Sequence, residues 1–304
     1  MTTIAGTGSA GYSGDAGPAI LAQLNPRADE RGNNLSVDSA GNVDSAGNVY
    51  GADAGNHAIR VLRPVHEPLV IGSVVDAASQ DEAALSPGMI VVIYGAGLGP
   101  SQLTQNEGRY GQLGTAIGGT QVAFDGIAAP ILYTSWTQVA AVVPYAITGT
   151  TAQVTVTYLG QASAPHAVPV MTSSPGVFTL NQTSTGQAAA INAVDGTVNT
   201  AANPVKIGAY ISLYATGEGQ TIPAGVDGRL SSTSARPVLP LSVTVGGIPA
   251  FVQYAGGSPG QVAGLMQINV QIPTGVQPGG YVPVVLSIGD ASTTDGAVWI
   301  AVAE

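Results

Sequence analysis

Cysteine is absent from the chain. Its absence removes disulfides, thiolate metal sites and a cysteine nucleophile. Charge is scarce too: 9% of residues are Asp, Glu, Lys or Arg, against about 25% in ordinary soluble domains. Lys206 is the single lysine. Long amphipathic helices wet their outer face with Lys, Glu and Arg, so none is expected. The few basic residues are scattered and the net charge is −10, which argues against nucleic acid and anionic membrane surfaces as partners. No apolar run approaches the roughly 18 residues that a membrane helix needs. The N-terminal Met1-Thr2-Thr3-Ile4-Ala5-Gly6 lacks a basic n-region and an apolar h-region, so no signal peptide is expected on this chain.

Hydrophobic residues make up 45% of the chain, alongside 42 glycines and 20 prolines. That mixture, rich in Val and Thr, favours short strands joined by tight turns. It is also internally repetitive. Ile93-Tyr94-Gly95-Ala96-Gly97-Leu98-Gly99 returns as Leu213-Tyr214-Ala215-Thr216-Gly217-Glu218-Gly219. Glu107-Gly108-Arg109 returns as Asp227-Gly228-Arg229, and Val122 to Ile127 returns as Val243 to Ile248. Gln138 to Pro144 returns as Gln267 to Pro273. The four blocks keep their order at offsets that grow slowly from about 120 to about 130 residues, which is two copies of one module with insertions in loops.

Strands are expected at Met89 to Tyr94, ended by the glycines from Gly95, then around Val122, Ile131 and Val139. Gln153 to Tyr158 alternates with period two, as a half-buried strand does. The second copy offers Tyr210 to Ala215, Leu241 to Val245, Ala250 to Tyr254, Leu265 to Ile272, Val282 to Ile288 and Ala297 to Val302. Short strands with Gly/Pro turns in modules of about 100 to 130 residues point to antiparallel sandwiches. The expected boundaries are 1–66 for an N-terminal segment and its Pro-containing linker, then 67–172 and 173–304 for the two sandwiches.

The N-terminal segment carries Thr3-Ile4-Ala5-Gly6-Thr7-Gly8, Gly11-Tyr12-Ser13-Gly14-Asp15, Leu24-Asn25-Pro26 and Val49-Tyr50-Gly51 through Gly55-Asn56-His57 to Val61. In this order the motifs resemble one NHL-type β-propeller repeat. Val37 to Asn42 is duplicated as Val43 to Asn48, and residues 28–34 are polar where that family has an apolar strand. A single blade cannot bury both its faces, so 1–64 is expected to be a remnant hairpin or small sheet. Downstream, Pro87-Gly88 with Ile93 to Gly99, Phe124-Asp125-Gly126 and Gln138 to Pro144 resemble an IPT/TIG module, an Ig-like fold. With Asp76-Ala77-Ala78-Ser79, Ser174-Pro175-Gly176-Val177-Phe178 and Gln267 to Pro273, the stretch from about 70 to 304 resembles the C-terminal domain of secreted, acidobacterial-type soil-bacterial proteins. The resemblance implies a secreted or cell-surface setting and no known activity. The fold class read here is all-β: two tandem Ig-like (IPT/TIG-like) sandwiches after a remnant of one propeller blade.

Candidate sites are few. Gly256-Gly257-Ser258-Pro259-Gly260 matches the Gly-x-Ser-x-Gly pattern of serine esterases, but Pro259 removes the amide that would serve the oxyanion hole. A triad would draw on His57, His66 or His166, and only His166 lies in the repeated region. Glu218 and Asp227 are a conceivable glycosidase pair. The repeated Glu107/Arg109 and Asp227/Arg229 suggest local carboxylate–guanidinium pairs or a polar ligand site at one pole of each sandwich. The Asp/Asn turns (Asp38, Asn42, Asp44, Asn48, Asp53) lack calcium-loop spacing and are expected to be solvated, with no metal and no cofactor. Among the aromatics, Trp136 is a candidate for stacking on a sugar ring, against a packing role. The leading reading is a non-enzymatic structural or binding module for adhesion, spacing or polysaccharide contact. The alternatives are a serine esterase using Ser258, and assembly by strand exchange through edge strands.

Overall fold

The computed structural model describes residues 5–15, 19–25, 35–36, 49–62, 69–82, 84–230 and 235–304. The tandem duplication at 37–48, the polar stretch at 28–34, the linker and His66 lie outside the described residues. The chain is all-β and divides into two compact units, Met1–His66 and Glu67–Glu304.

The first unit holds a three-stranded antiparallel sheet of Leu35–Ser36, Val49–Asp53 and Ala58–Leu62. Among its described residues Ala22 is the only buried hydrophobic one. A polar hub stands where a core would be. Asp53, expected to be solvated, is buried. Its carboxylate accepts bonds from the Asn25 amide at 2.7 Å, from Asn56 Nδ2 at 2.9 Å and from Arg60 at 3.3 Å. Burial raises the carboxyl pKa, and these bonds outweigh it and hold the group below its ordinary range. Arg60 also pairs with Asp15 at 2.9 Å and lies 5.0 Å over the Tyr12 ring.

The second unit contains two sandwiches. In the first, Val70–Asp76, Ile90–Ala96, Gln138–Val142, Ile131–Thr134 and Thr104–Gln105 form one antiparallel sheet. It faces a sheet built on Thr151–Tyr158 and Thr120–Phe124. Alternation puts Val91, Ile93, Val139 and Ala141 of one sheet against Val122, Phe124, Val154 and Val156 of the other. The strand from Ile90 runs on through Gly95 to Ala96, past the expected stop. There it pairs with Ile71 and Val70, and a side chain at residue 95 would strike the Val70 carbonyl. In the second sandwich Gly176–Val177, Tyr210–Thr216, Met266–Gln271 and Phe251–Gly257 form one sheet. The facing sheet centres on Leu241–Val245, Gly279–Ile288 and Val298–Ala303. The strand expected from Leu265 begins at Met266; before it Val262 bridges Leu230, and Leu265 N–H donates to the Val262 carbonyl.

The duplication is reproduced pair by pair. Gln138 sits opposite Tyr94 and Gln267 opposite Tyr214. Phe124 sits opposite Ile127 across one tight turn, and Val245 opposite Ile248 across its counterpart. Even the bulge recurs, between Ile131 and Tyr133 in one copy and between Val252 and Tyr254 in the other. A bulge inserts one residue and re-aims the strand, so its recurrence preserves the same bend in both sheets.

The two sandwiches interlock. Ile90, Leu113 and Val142 of the first are buried in one cluster with Val262 of the second, with Leu132, Leu230 and Leu265 packed around it. Thr216 Oγ1 accepts from the Ile90 amide at 2.8 Å and donates to the Gly264 carbonyl at 2.8 Å. Gly264 has φ +105, and a Cβ there would run into the Gly88 carbonyl. The ring of Tyr145 lies so close to Gly88 and to Gly225 that a Cβ at either would overlap it. We expect Thr216→Val to orphan a buried N–H and to lower stability by about 1–3 kcal/mol. Gly264→Ala should cost more, because it adds strain at positive φ to a steric clash. Urea unfolding midpoints check both, and wild-type values for either variant would contradict the interlock.

Candidate functional site

The repeated acid-Gly-Arg loops meet each other at the junction. Leu113 N–H donates to the Gly228 carbonyl at 2.8 Å, and Leu230 N–H to the Gly111 carbonyl at 2.8 Å. Gln112 Nε2 donates to the Asp227 carbonyl at 3.0 Å. Neither loop closes a carboxylate–guanidinium pair; among the described residues the ion pairs involve Arg60 alone. Asp227 Oδ1 accepts from the Tyr145 amide at 2.8 Å, while Gln220 Nε2 donates to the Tyr145 carbonyl at 2.7 Å. Two side chains of the second sandwich therefore hold one backbone turn of the first. Glu107, Arg109 and Arg229 have exposed side chains.

Glu218 is 2% exposed, and its Oε2 is buried with no hydrogen-bond partner. It borders a cavity of about 50 Å³ shared with Tyr145, Gly225, Arg229, Gly257 and Gly264. The repeat explains this burial, because Glu218 occupies the position of Leu98, which is fully buried in the first copy. Desolvation raises its pKa from 4.5 to about 8. The Tyr145 hydroxyl is pushed upward by burial first, then by Glu218 and Asp227. Tyr254 is raised by burial and by Glu218, with Arg236 acting the other way. Elsewhere, Asp76 is raised from 3.8 to about 6 by burial, beside a cavity of about 190 Å³ that Ser173, Ser174 and Gly176 also line.

Among the described residues no hydrogen bond joins Ser258 to a histidine. Ser258 is buried, its amide donates to the Leu265 carbonyl at 2.9 Å, and its carbonyl accepts from Gln261. It follows a strand and leads into turns, where the esterase pattern needs a helix. His166 belongs to the other sandwich, in the strand His166–Pro169 opposite Val154. His57 is exposed in the first unit, in a left-handed conformation after a short 3₁₀ turn. Among the described residues no group of three or more His, Asp or Glu is placed to hold a metal ion. Trp136 is 38% exposed in a turn of the first sandwich. Trp299 is half-buried against Tyr281, with ring centroids 5.5 Å apart.

One surface escaped the sequence reading. Ile211, Leu213, Ile268 and Val270 enter the core of the second sandwich. Strand alternation therefore turns Tyr210, Ser212, Tyr214, Gln267, Asn269 and Gln271 to the other side of that sheet, where all six are half-buried. The signal was present in the repeat, which aligns these residues with Ile90, Val92, Tyr94, Gln138, Ala140 and Val142.

No family model matches the chain, and no curated protein does. Among solved structures it is similar to the plexin A4 extracellular region at 11% identity and TM-score 0.24, covering 78% of this chain and 20% of that one. It is also similar to the Bacteroides ovatus mixed-linkage glucan utilization locus protein SGBP-B, solved with a mixed-linkage heptasaccharide. That match has 11% identity and TM-score 0.33, covering 90% of this chain and 62% of that one. The I9–I11 tandem of titin matches at 9% identity and TM-score 0.21, covering 90% and 84%. The chain thus spans less than two thirds of the plexin and SGBP-B chains. At TM-scores this low, none of these likenesses assigns a role to it.

The raised carboxyls set the direction of the pH dependence. A carboxyl whose pKa is higher folded than unfolded favours the folded state most below its unfolded pKa, and that contribution is lost as pH rises to the folded pKa. Stability should fall between pH 4.5 and about 8 through Glu218, and between 3.8 and about 6 through Asp76. Each proton is worth up to about 1.4 kcal/mol per pH unit. Glu218→Leu installs the residue of the other copy and orphans no partner. We expect it to flatten the profile between about pH 6 and 8 and to raise the urea midpoint at pH 8. An unchanged slope would contradict a buried neutral acid.

Proposed function

We propose that residues 67–304 form a rigid, non-enzymatic binding module of a secreted or cell-surface protein, with polysaccharide contact as its use. On this reading the first unit is a remnant propeller blade, and 67–172 and 173–304 are the two Ig-like copies. The observation that carries the proposal is where the reactive residue types sit. Ser258 is buried, Glu218 is sealed in the junction, and one oxygen of Asp227 is bonded to a backbone amide. Glu107, Arg109 and Arg229 stay exposed in loops, and the paired sheet face of Tyr210, Ser212, Asn269 and Gln271 offers tyrosine, hydroxyl and amides, the groups that hydrogen-bond to sugars.

The test uses the purified chain beside Ser258→Ala. No hydrolysis of short p-nitrophenyl esters by either protein, with retention on at least one insoluble polysaccharide, is the expected result. Ester hydrolysis that disappears in Ser258→Ala would overturn the proposal.

A further inference from the structure

We infer that the outward face of strands Tyr210–Thr216, Met266–Gln271 and Phe251–Gly257 is the binding surface for a neutral, hydroxyl-rich polysaccharide chain. The inference rests on the proposed binding role and names the site and the ligand class.

The two copies supply the argument. In the first, the equivalent face carries Ile90, Val92, Ala140 and Val142, exposed by 5%, 4%, 2% and 0%. In the second, the same register positions carry Tyr210, Ser212, Asn269 and Gln271, all half-buried. One backbone has been given an apolar face that is covered and a hydrogen-bonding face that is covered only in part. Folding alone gives no reason for the change, because half-exposed amides contribute little to a core.

The amides are ordered. Asn269 Oδ1 accepts from Ser212 Oγ at 2.9 Å and from Gln267 Nε2 at 2.9 Å. The Asn269 oxygen is doubly engaged, and the amide nitrogen keeps two unspent donors. Gln271 is anchored by donating to the Gly208 carbonyl at 2.8 Å, which leaves its oxygen as an acceptor. Aromatic rings flank this centre. Tyr210 lies opposite Gln271, and Gln271 lies opposite Phe251, which is 62% exposed. Two strand spacings separate those rings, about 10 Å, a reach suited to successive rings of an extended sugar chain lying across the strands. The apolar faces of pyranose rings pack on aromatics, and their hydroxyls pair with amides.

Charge selects the class. None of the paired residues on this face is ionisable apart from tyrosine, and the chain carries a net charge of −10. An anionic polymer would be repelled overall and would find no cation in these rows. The row through Asn269 continues to Tyr254, which borders a groove of about 460 Å³ beside the edge strand, lined also by Gln253, Leu239 and Arg236. That volume lies within the range of roughly 300–1,000 Å³ common to ligand sites.

The test is affinity gel electrophoresis of the full chain in hydroxyethyl cellulose, galactomannan, dextran or polygalacturonate. Retardation in at least one neutral polymer and none in polygalacturonate is expected. Asn269→Ala and Tyr210→Ala should each weaken it at least about tenfold, and Asn269→Asp, nearly isosteric but charged, should weaken it as well. Trp136→Ala should leave it unchanged. Retardation equal to wild type in all the face variants, or loss in Trp136→Ala alone, would overturn the site while leaving the binding role standing. Retardation in polygalacturonate only would overturn the ligand class. A concentration-dependent mass abolished by Tyr210→Ala would make the face a contact between copies and overturn the inference.

Discussion

The outer face of the first sandwich is apolar, and water is a poor neighbour for it. Ile90, Val142 and Leu132 project from a sheet whose other side is already committed to the core. Left bare, such a patch would bind other molecules or aggregate. The second sandwich covers part of it with Val262, Leu230 and Leu265. Much else in the junction follows from that cover. Gly264 and Gly88 bring two backbones too close for side chains, and Thr216 satisfies an amide and a carbonyl that the closure takes from water. Asp227 and Gln220 grip the Tyr145 turn from the other side. The copies therefore do not behave as beads on a string.

A shared backbone makes their differences informative. Where both copies keep an apolar residue, as at Ile93 and Leu213, the position serves the core. Where the second copy turns polar at a position that is apolar in the first, two outcomes appear. Glu218 replaces Leu98 inside the structure and is kept neutral by burial. Asn269 and Gln271 replace Ala140 and Val142 on the sheet surface and stay within reach of solvent. The first substitution puts a carboxyl of raised pKa into the junction. The second leaves an uncharged polar face within reach of solvent.

Much of the fold was legible because it is repetitive and local. The repeated blocks anticipate the pairing register of the central strands, and the alternation of Gln153 to Tyr158 matches a strand with one buried side. Strand ends were less legible. Gly95 looks like a breaker in isolation, yet here its missing side chain admits the Val70 carbonyl. The fate of Asp227 could not be foreseen, since its partner is a backbone amide in the other copy, far away in sequence. The burial of Glu218 and the open amide face were both implicit in the alignment of the copies. They appear only when each substitution is weighed against the burial of its counterpart.

The central claim is that the two sandwiches are one cooperative body joined through the covered apolar face. Native-state hydrogen exchange read by mass spectrometry tests it most directly, because it reports the opening free energy of each segment separately. Peptides spanning Ile90–Ala96 and Tyr210–Thr216 should open with the same free energy and the same dependence on urea. Opening of one strand well below the free energy of the other would mean that the sandwiches unfold independently, and the interlock would not be what holds them.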